Sequence, residues 1–301
     1  MSGQSGDEWV EDGEGNKHWG KFGAAGVLAF DAATGSVLLQ HRASFSHHGD
    51  TWGIPGGARH RDECAIEGAF RESQEEAGIP DGALKAQYSF VLDRGVWTYT
   101  TVIADVVAAF EPKVTDSESQ DVAWVPVDQV EKRDLHPAFA AAWPVLAPLL
   151  GRKPVLVVDV ANVMGSTPDG WWKDRRGAAT RMRDNIERFA KTNPAVSASL
   201  FHDFDVPSSE GAPRPSEAFP EWLLVVEGQA KGVKSSGRVQ VVDAPRDGDG
   251  AIVDHVARLA GERALVSVFT SDVLLKKRVL EAGAVAVNGS KNLVTMLKQA
   301  N

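Results

Sequence analysis

The chain has 301 residues, 43% hydrophobic and 24% charged, with a formal net charge of −9. This is a globular composition with room for two domains, and its acidic balance argues against sequence-blind binding to duplex nucleic acid without excluding a nucleotide substrate held through divalent cations. The lone cysteine, Cys64, excludes an internal disulfide, and neither a signal-peptide pattern nor a long apolar span occurs, so a cytoplasmic protein without membrane contact is expected.

Residues 1–18, rich in Gly, Asp and Glu, read as a flexible tail. GAAGVLAF and GSVLLQHR follow, separated by the turn signal Ala33-Thr34-Gly35, and predict two strands in a hairpin. Residues 44–57 read as a loop. Asp62 is placed to cap a helix running to about Ala77, with Gly78 at its end. β-Branched and aromatic residues predict strands at 97–108 and 123–127, and His136-Pro137 opens a helix that carries Pro144 inside it.

The pattern changes near Gly151. Strand-like runs at 154–160, 196–201, 222–228, 239–244, 264–271 and 285–288 alternate with helices near 177–192, 251–260, 273–282 and 290–299. Short apolar strands between helices imply a buried parallel sheet. The Pro-, Ser- and Glu-rich stretch 206–220 reads as a long loop or lid.

Glu72, Glu75 and Glu76 stand at i, i+3 and i+4, which places them on one face of a helix. Three like charges so placed repel each other, and a divalent cation with a preference for oxygen, Mg²⁺ or Mn²⁺, relieves that repulsion. Gly56-Gly57 just before the helix permits close approach of backbone to a metal or a phosphate, and Arg71 is positioned to orient a carboxylate. A merely acidic surface helix is the competing reading of the three glutamates alone.

The segment 57–79, GARHRDECAIEGAFRESQEEAGI, resembles the Nudix box, matching it at Gly57, Glu63, Arg71, Glu72, Glu75, Glu76, Gly78 and Ile79. The one departure is Ser73, where the family has an aliphatic residue. LLQHRA and TWGIPGG extend the likeness over about residues 20–150. The resemblance implies an α/β fold, an α/β/α sandwich with a mixed sheet over residues 19–150. It also implies a catalytic Mg²⁺ or Mn²⁺ site at Glu72, Glu75, Glu76 and the Gly56 carbonyl, supported by Glu63 and Arg71. Glu118, in a loop before a Trp-bearing strand, fits the further acid that the family uses as ligand or base, or else is a solvated loop acid. A metal ion of this kind neutralises diphosphate oxygens and acidifies water, which a carboxylate then deprotonates.

Arg42 is a candidate for a distal phosphate, or an ordinary strand-end arginine. Trp52, Trp97 and Tyr99 are candidates for stacking on a base, or for core and rim packing. The signatures of the ADP-ribose- and NADH-cleaving branches are absent, which leaves a nucleoside triphosphate or related nucleotide as substrate by elimination.

Over residues 151–301 three acids fall at predicted strand ends or helix starts: Asp159, Asp249 and Asp272, with Asn162 near the first and Asp247 and Asp254 as secondary candidates. Strand ends in a parallel sheet share one edge, yet each acid also fits a helix cap. D-x-x-N, D-G-D-G-A-I-V-D and T-S-D together resemble the NYN/PIN-like nucleases. That resemblance implies a Rossmann-like parallel domain with a second metal site and single-stranded RNA as a partner; the fourth acid usual in such enzymes is not evident. The run 170–176, GWWKDRR, reads as a nucleic-acid contact or a packed loop with a basic rim. Three functions compete: nucleotide hydrolysis, RNA processing, and nucleotide sensing without cleavage, the last disfavoured by the intact glutamate set.

Overall fold

A computed structural model describes residues 4–168, 170–201 and 212–299. The chain divides into two compact units, one of residues 1–151 with 205–216, the other of residues 152–204 with 217–301.

The first unit begins with a short hairpin, β1 (Trp9–Glu11) and β2 (Lys17–Trp19). The sequence reads as a tail there because its composition is polar and each strand has only three residues. There follow β3 (Ala24–Asp31), β4 (Ser36–Arg42), β5 (Trp52–Gly53), β6 (Gly56–Ala58), α1 (Ala65–Ala77), β7 (Leu84–Asp93), β8 (Thr98–Val106), β9 (Ser119–Pro126) and α2 (Pro137–Leu146). The sheet is mixed: β3 runs parallel to β8 but antiparallel to β4 and β6, β7 antiparallel to β8, and β9 antiparallel to β4. Ala25, Val27 and Ala29 of β3 alternate towards the face covered by α1, where they pack with Leu38, Ala69, Ala77, Val102 and Ala104.

α1 is capped by Cys64 rather than by Asp62. The Cys64 Sγ accepts the Glu67 N–H at 3.5 Å, and the Glu67 carboxylate accepts the Cys64 N–H at 2.9 Å, completing a capping box. Gly78 ends the helix at φ +64, a conformation that favours glycine. Ser73 is fully buried and donates to the Phe70 carbonyl at 2.8 Å, so the polar departure from the motif is satisfied by its own helix.

The second unit contains β10 (Pro154–Asp159), α3 (Val160–Gly165), α4 (Arg175–Thr192), β11 (Val196–Ser197), β12 (Arg214–Ala218, shared with the first unit), β13 (Glu221–Val226), β14 (Val239–Asp243), α5 (Gly248–Gly261), β15 (Leu265–Phe269), α6 (Val273–Glu281), β16 (Ala286–Asn288) and α7 (Ser290–Gln299). Its five-stranded sheet, ordered β14-β13-β10-β15-β16, is parallel throughout. Val155, Val157, Leu223, Val225, Val266 and Val268 form its core with Ile252, Val256, Leu275 and Val279 from the helices. Two expectations are corrected. The run 196–201 stays extended only at Val196–Ser197 and then turns into a 3-10 segment, Ala198–Phe201. Within the expected loop 206–220, Arg214–Ala218 is a strand, while residues 206–211 lie outside the described residues. Among the described residues no helix is long and apolar enough to cross a membrane.

Candidate active site

α1 and the β6 strand before it bring the acidic residues to one wall of a cavity of about 980 Å³, lined by Gly56, Gly57, Arg71, Glu72, Glu75, Glu76, Asp116 and Glu118 among others. Arg71 organises this wall. Its Nε and Nη2 donate to the two Glu63 oxygens at 2.8 and 3.0 Å, and Nη1 donates to Glu72 at 2.7 Å and Glu75 at 2.8 Å. Nη2 also donates to the Ala58 carbonyl at 2.8 Å, tying β6 to α1. Burial raises the Glu63 pKa, but the Arg71 guanidinium and the His60 N–H outweigh it and hold the carboxyl below its usual range.

Glu76 is buried, and its Oε2 accepts the Gly56 N–H at 2.6 Å. A side chain on Gly56 would collide with the Gly26 Cα and the Ala25 carbonyl, so glycine is required there for β6 to reach β3. Burial pushes Glu76 up to about 8 against that hydrogen bond, with the charges of Glu72 and Asp116 adding to the rise. Glu72 goes up to about 7, again chiefly by burial, despite Arg71. Glu75 is exposed. Gln40, wholly buried on β4, lies beside Glu76 and donates to the Ser119 Oγ at 2.7 Å.

Two acids facing each other in a buried wall are costly when ionised, and an all-oxygen donor set is what Mg²⁺ or Mn²⁺ takes. In charge and donor type these residues fit a divalent cation. Among the described residues, however, no three His, Cys, Asp or Glu side chains are arranged as a ready-made metal cage: Arg71 holds Glu72 and Glu75, and Gly56 holds Glu76.

Basic and aromatic side chains line the same cavity. Arg42 lines it and donates from Nε to the His47 carbonyl at 3.3 Å. His47, His48 and His136 also line it, with ring centroids 4.2 Å apart for the first pair and 4.8 Å for the second. His136 caps α2 through Nδ1, which accepts the Ala138 N–H at 3.2 Å. Burial, with nearby His48 and Arg42, lowers it to about 4, so it is neutral at physiological pH. Trp97 and the half-buried Tyr99 reach the cavity; burial raises the Tyr99 phenol above its usual range.

Trp52 does not line the cavity. His41 stacks on it at 4.7 Å with 5° between planes, and Arg133 sits over the ring at 4.7 Å. With these contacts and its burial away from the cavity, Trp52 is a packing residue. Missed by the sequence reading were Gln40, Asp116, the three histidines and the hairpin residues Trp9 and Trp19. The H-H pair at 47–48 in a loop just ahead of the box was the available signal.

In the second unit Asp159 and Asp272 are helix caps, accepting the Asn162 and Leu275 N–H groups at 3.1 and 2.7 Å. Asp249 is not a cap: Asp247 caps α5 instead, accepting from Gly250 at 2.7 Å. Asp159 is buried, and the Thr270 hydroxyl donates to it at 2.9 Å. Asn162 accepts from the Ser271 N–H and the Ser290 hydroxyl at 2.9 and 2.5 Å, which fixes it as a strut between loops. Burial raises Asp159 and Asp249; the charges of Asp249 and Glu227 add to the first, and those of Asp272, Glu227 and Asp247 to the second against Arg278, yet among the described residues these acids do not form a group arranged to hold a metal ion. Glu227 follows β13, next to β10 in the sheet, and accepts the Gly248 N–H at 2.6 Å. Arg278 approaches Asp249 at 3.7 Å, and Asp254 is exposed on α5. In the 170–176 run, Arg175 lies over Trp171 at 5.4 Å, and Trp172 is exposed.

Comparison with known proteins agrees with the first unit. Residues 20–147 match the NUDIX domain model. A nucleoside triphosphate pyrophosphatase/Nudix hydrolase fusion protein of Bifidobacterium longum is 46% identical over 151 residues, 48% of this chain and 31% of that protein, so the chain spans about a third of its length. A putative 8-oxo-dGTP diphosphatase 3 of Mycobacterium tuberculosis is 44% identical over 147 residues, 46% of this chain and 67% of the relative. A crystal structure of a Nudix hydrolase from M. smegmatis is 42% identical with a TM-score of 0.44, covering 48% of this chain and 94% of that one. With the box residues gathered on one cavity wall and two thirds of the M. tuberculosis relative covered at this identity, the chain belongs to the Nudix family.

Proposed function

We propose that the first unit is a metal-dependent pyrophosphohydrolase that cleaves a nucleoside triphosphate or related nucleotide at a pyrophosphate bond. The observation that carries this is the pairing of the buried Glu76 with the half-buried Glu72, raised to about 8 and 7, in the same cavity as Glu75 and the cationic Arg42. The names of the relatives, a nucleoside triphosphate pyrophosphatase fusion and a putative 8-oxo-dGTP diphosphatase, support the substrate class. Nudix hydrolases generally use divalent metal ions.

In this reading Glu72, Glu75, Glu76 and the Gly56 carbonyl hold Mg²⁺ or Mn²⁺. The cation, when bound, neutralises the diphosphate oxygens and acidifies a water. Arg71, anchored by Glu63, fixes the side chains of Glu72 and Glu75 so that they need not be ordered when the site fills. Glu118, on the cavity wall, takes the proton from the attacking water. Arg42, which lines the same cavity, holds the distal phosphate, and neutral His136 adds a donor without adding a charge. Trp97 and Tyr99 border the base end. The setting is cytoplasmic, consistent with an exposed free Cys64. The test is a screen of the purified full chain against nucleoside triphosphates, dinucleotides and ADP-ribose with Mg²⁺ or Mn²⁺. Release of a nucleoside monophosphate from at least one of them supports the reading; no turnover of any sinks it.

A second reading concerns the second unit, and what favours it is the buried Asp159 at the end of a central parallel strand, with Asp249 and Glu227 near enough for their charges to raise it. With Glu227 as the fourth acid, this suits a PIN-like, metal-dependent cleavage of single-stranded RNA. Loss of Mn²⁺-dependent RNA cleavage in Asp159→Asn, with nucleotide hydrolysis kept, supports it. No cleavage by the unmodified protein leaves the unit as a scaffold.

A further inference from the structure

The hairpin of residues 9–19 precedes the segment that matches the family model. Trp9 and Trp19 are partners in its ladder, so both side chains emerge on one face. Their ring centroids are 5.2 Å apart with 67° between planes. Both stay well exposed, at 51% and 39%, and both line the cavity that holds Glu72, Glu75 and Glu76. Phe45, 76% exposed, lines it too.

These rings are not loosely displayed. The Gly20 N–H donates to the Glu8 carbonyl at 3.0 Å, and the Lys21 and Arg61 N–H groups donate to Gly6 and Gln4 at 2.8 and 3.1 Å. The Trp97 indole N–H donates to the Trp19 carbonyl at 3.0 Å, and His18 stacks on Trp97 at 4.7 Å with 15° between planes. Trp9 also meets His47 edge-on at 6.0 Å, which joins the hairpin to the loop after β4. Trp97 therefore works as a post for the hairpin, with one face already covered, whereas Trp9 and Trp19 keep open surface.

Two indoles held in water at the wall of a concave site forgo the hydrophobic gain of burial. They offer flat π faces of the kind on which nucleobases stack irrespective of sequence. The acidic residues of the same cavity suit the cation-bound phosphates and Arg42 a distal phosphate, whereas the hairpin indoles suit the base. We propose that the nucleobase of the substrate stacks on one indole of the Trp9–Trp19 pair and meets the other edge-on, so that this N-terminal hairpin is a base-binding element of the site. The proposal rests on the pyrophosphohydrolase reading for the identity of the ligand.

The experiment separates binding from turnover in the full chain. Titration with α,β-methylene-dGTP, followed by tryptophan fluorescence, reads binding without hydrolysis; dGTP kinetics with Mg²⁺ read kcat and KM; inorganic pyrophosphate, as a competing inhibitor without a base, reads the phosphate end. Trp9→Ala and Trp19→Ala are expected to weaken analogue binding and raise KM by roughly 5- to 100-fold each, with kcat and pyrophosphate inhibition unchanged. Trp9→Phe and Trp19→Phe should recover most of the loss. If an alanine variant fails to fold, Trp9→Leu and Trp19→Leu replace it, keeping apolar bulk but no π face. Analogue binding as in the unmodified protein by the folded variants overturns the platform, and so does equal loss of analogue and pyrophosphate. Unmodified protein that binds the analogue at the hairpin but hydrolyses nothing overturns the hydrolase reading alone; no binding of the analogue at all overturns both.

Discussion

The Glu76 carboxylate accepts a hydrogen bond from the Gly56 N–H at 2.6 Å, joining the last turn of the box helix to the strand that leads into it. That bond holds a buried acid near two other acids, Glu72 and Asp116, with no cationic side chain bonded to it among the described residues. Glu76→Gln keeps the shape and removes the charge. The expected outcome is a protein that folds normally, with a metal-free melting temperature at pH 8 no lower than that of the unmodified chain, but without the rise that Mn²⁺ gives the latter. A melt with and without Mn²⁺ reads this; an undiminished Mn²⁺ rise counts against Glu76 as a ligand.

The same burial predicts a pH dependence. Glu76 and Glu72 have folded pKa values raised to about 8 and 7, above the ordinary 4.5. The folded state then binds more protons than the unfolded state between these values, so metal-free stability is full below pH 4.5 and falls as pH rises towards 8. The loss is on the order of a few kcal/mol. Denaturation in EDTA at pH 5 and at pH 8 measures it, and excess Mg²⁺ should restore stability at pH 8. Equal stability at both pH values without metal would show that the two acids are not buried in this way.

Arg71 makes its contacts as a fork: two to Glu63, one each to Glu72, Glu75 and the Ala58 carbonyl. Lysine carries the charge but cannot reproduce that geometry. Arg71→Lys should lower metal affinity or activity by roughly 10- to 100-fold, as loss of a ligand-orienting group does. Calorimetric titration of Mn²⁺ checks it; unchanged affinity and rate would reduce Arg71 to an ordinary surface ion pair.

Gly56→Ala is predicted to destabilise the first unit, since a methyl group there meets the backbone of β3 at Gly26 and Ala25 rather than a side chain that can move. A loss of more than about 1–3 kcal/mol, in the range of overpacking, should appear in chemical denaturation. Wild-type stability would mean that β3 and β6 are free to separate.

What the sequence makes legible follows from spacing. Helical periodicity alone puts Glu72, Glu75 and Glu76 on one face, and the structure brings them to one cavity wall with Arg71. The alternation of apolar runs and helices likewise anticipates the parallel sheet of the second unit. Features set by tertiary context were not legible. Cys64 caps α1 although a thiol is a weak acceptor, because Glu67 answers it. Trp9 and Trp19 sit in a polar stretch whose strands are too short to show periodicity, and their partners, His47 for Trp9 and Trp97 for Trp19, are distant in sequence. Trp52 stands beside the box residues in sequence yet is sealed by His41 and Arg133. Glu227 escapes notice because the apolar run WLLVV leads straight into it, so it reads as part of the strand rather than as an acid at its end.

The most direct test of the account is hydrolysis of dGTP by the purified full chain and by Glu76→Gln and Glu75→Gln, with Mg²⁺ and with EDTA, following product phosphates by phosphorus NMR. Metal-dependent cleavage of a pyrophosphate bond by the unmodified chain is expected, abolished by EDTA and reduced by roughly 10²-fold or more in the two folded variants. Cleavage that persists undiminished in both variants at ordinary Mg²⁺ would contradict it.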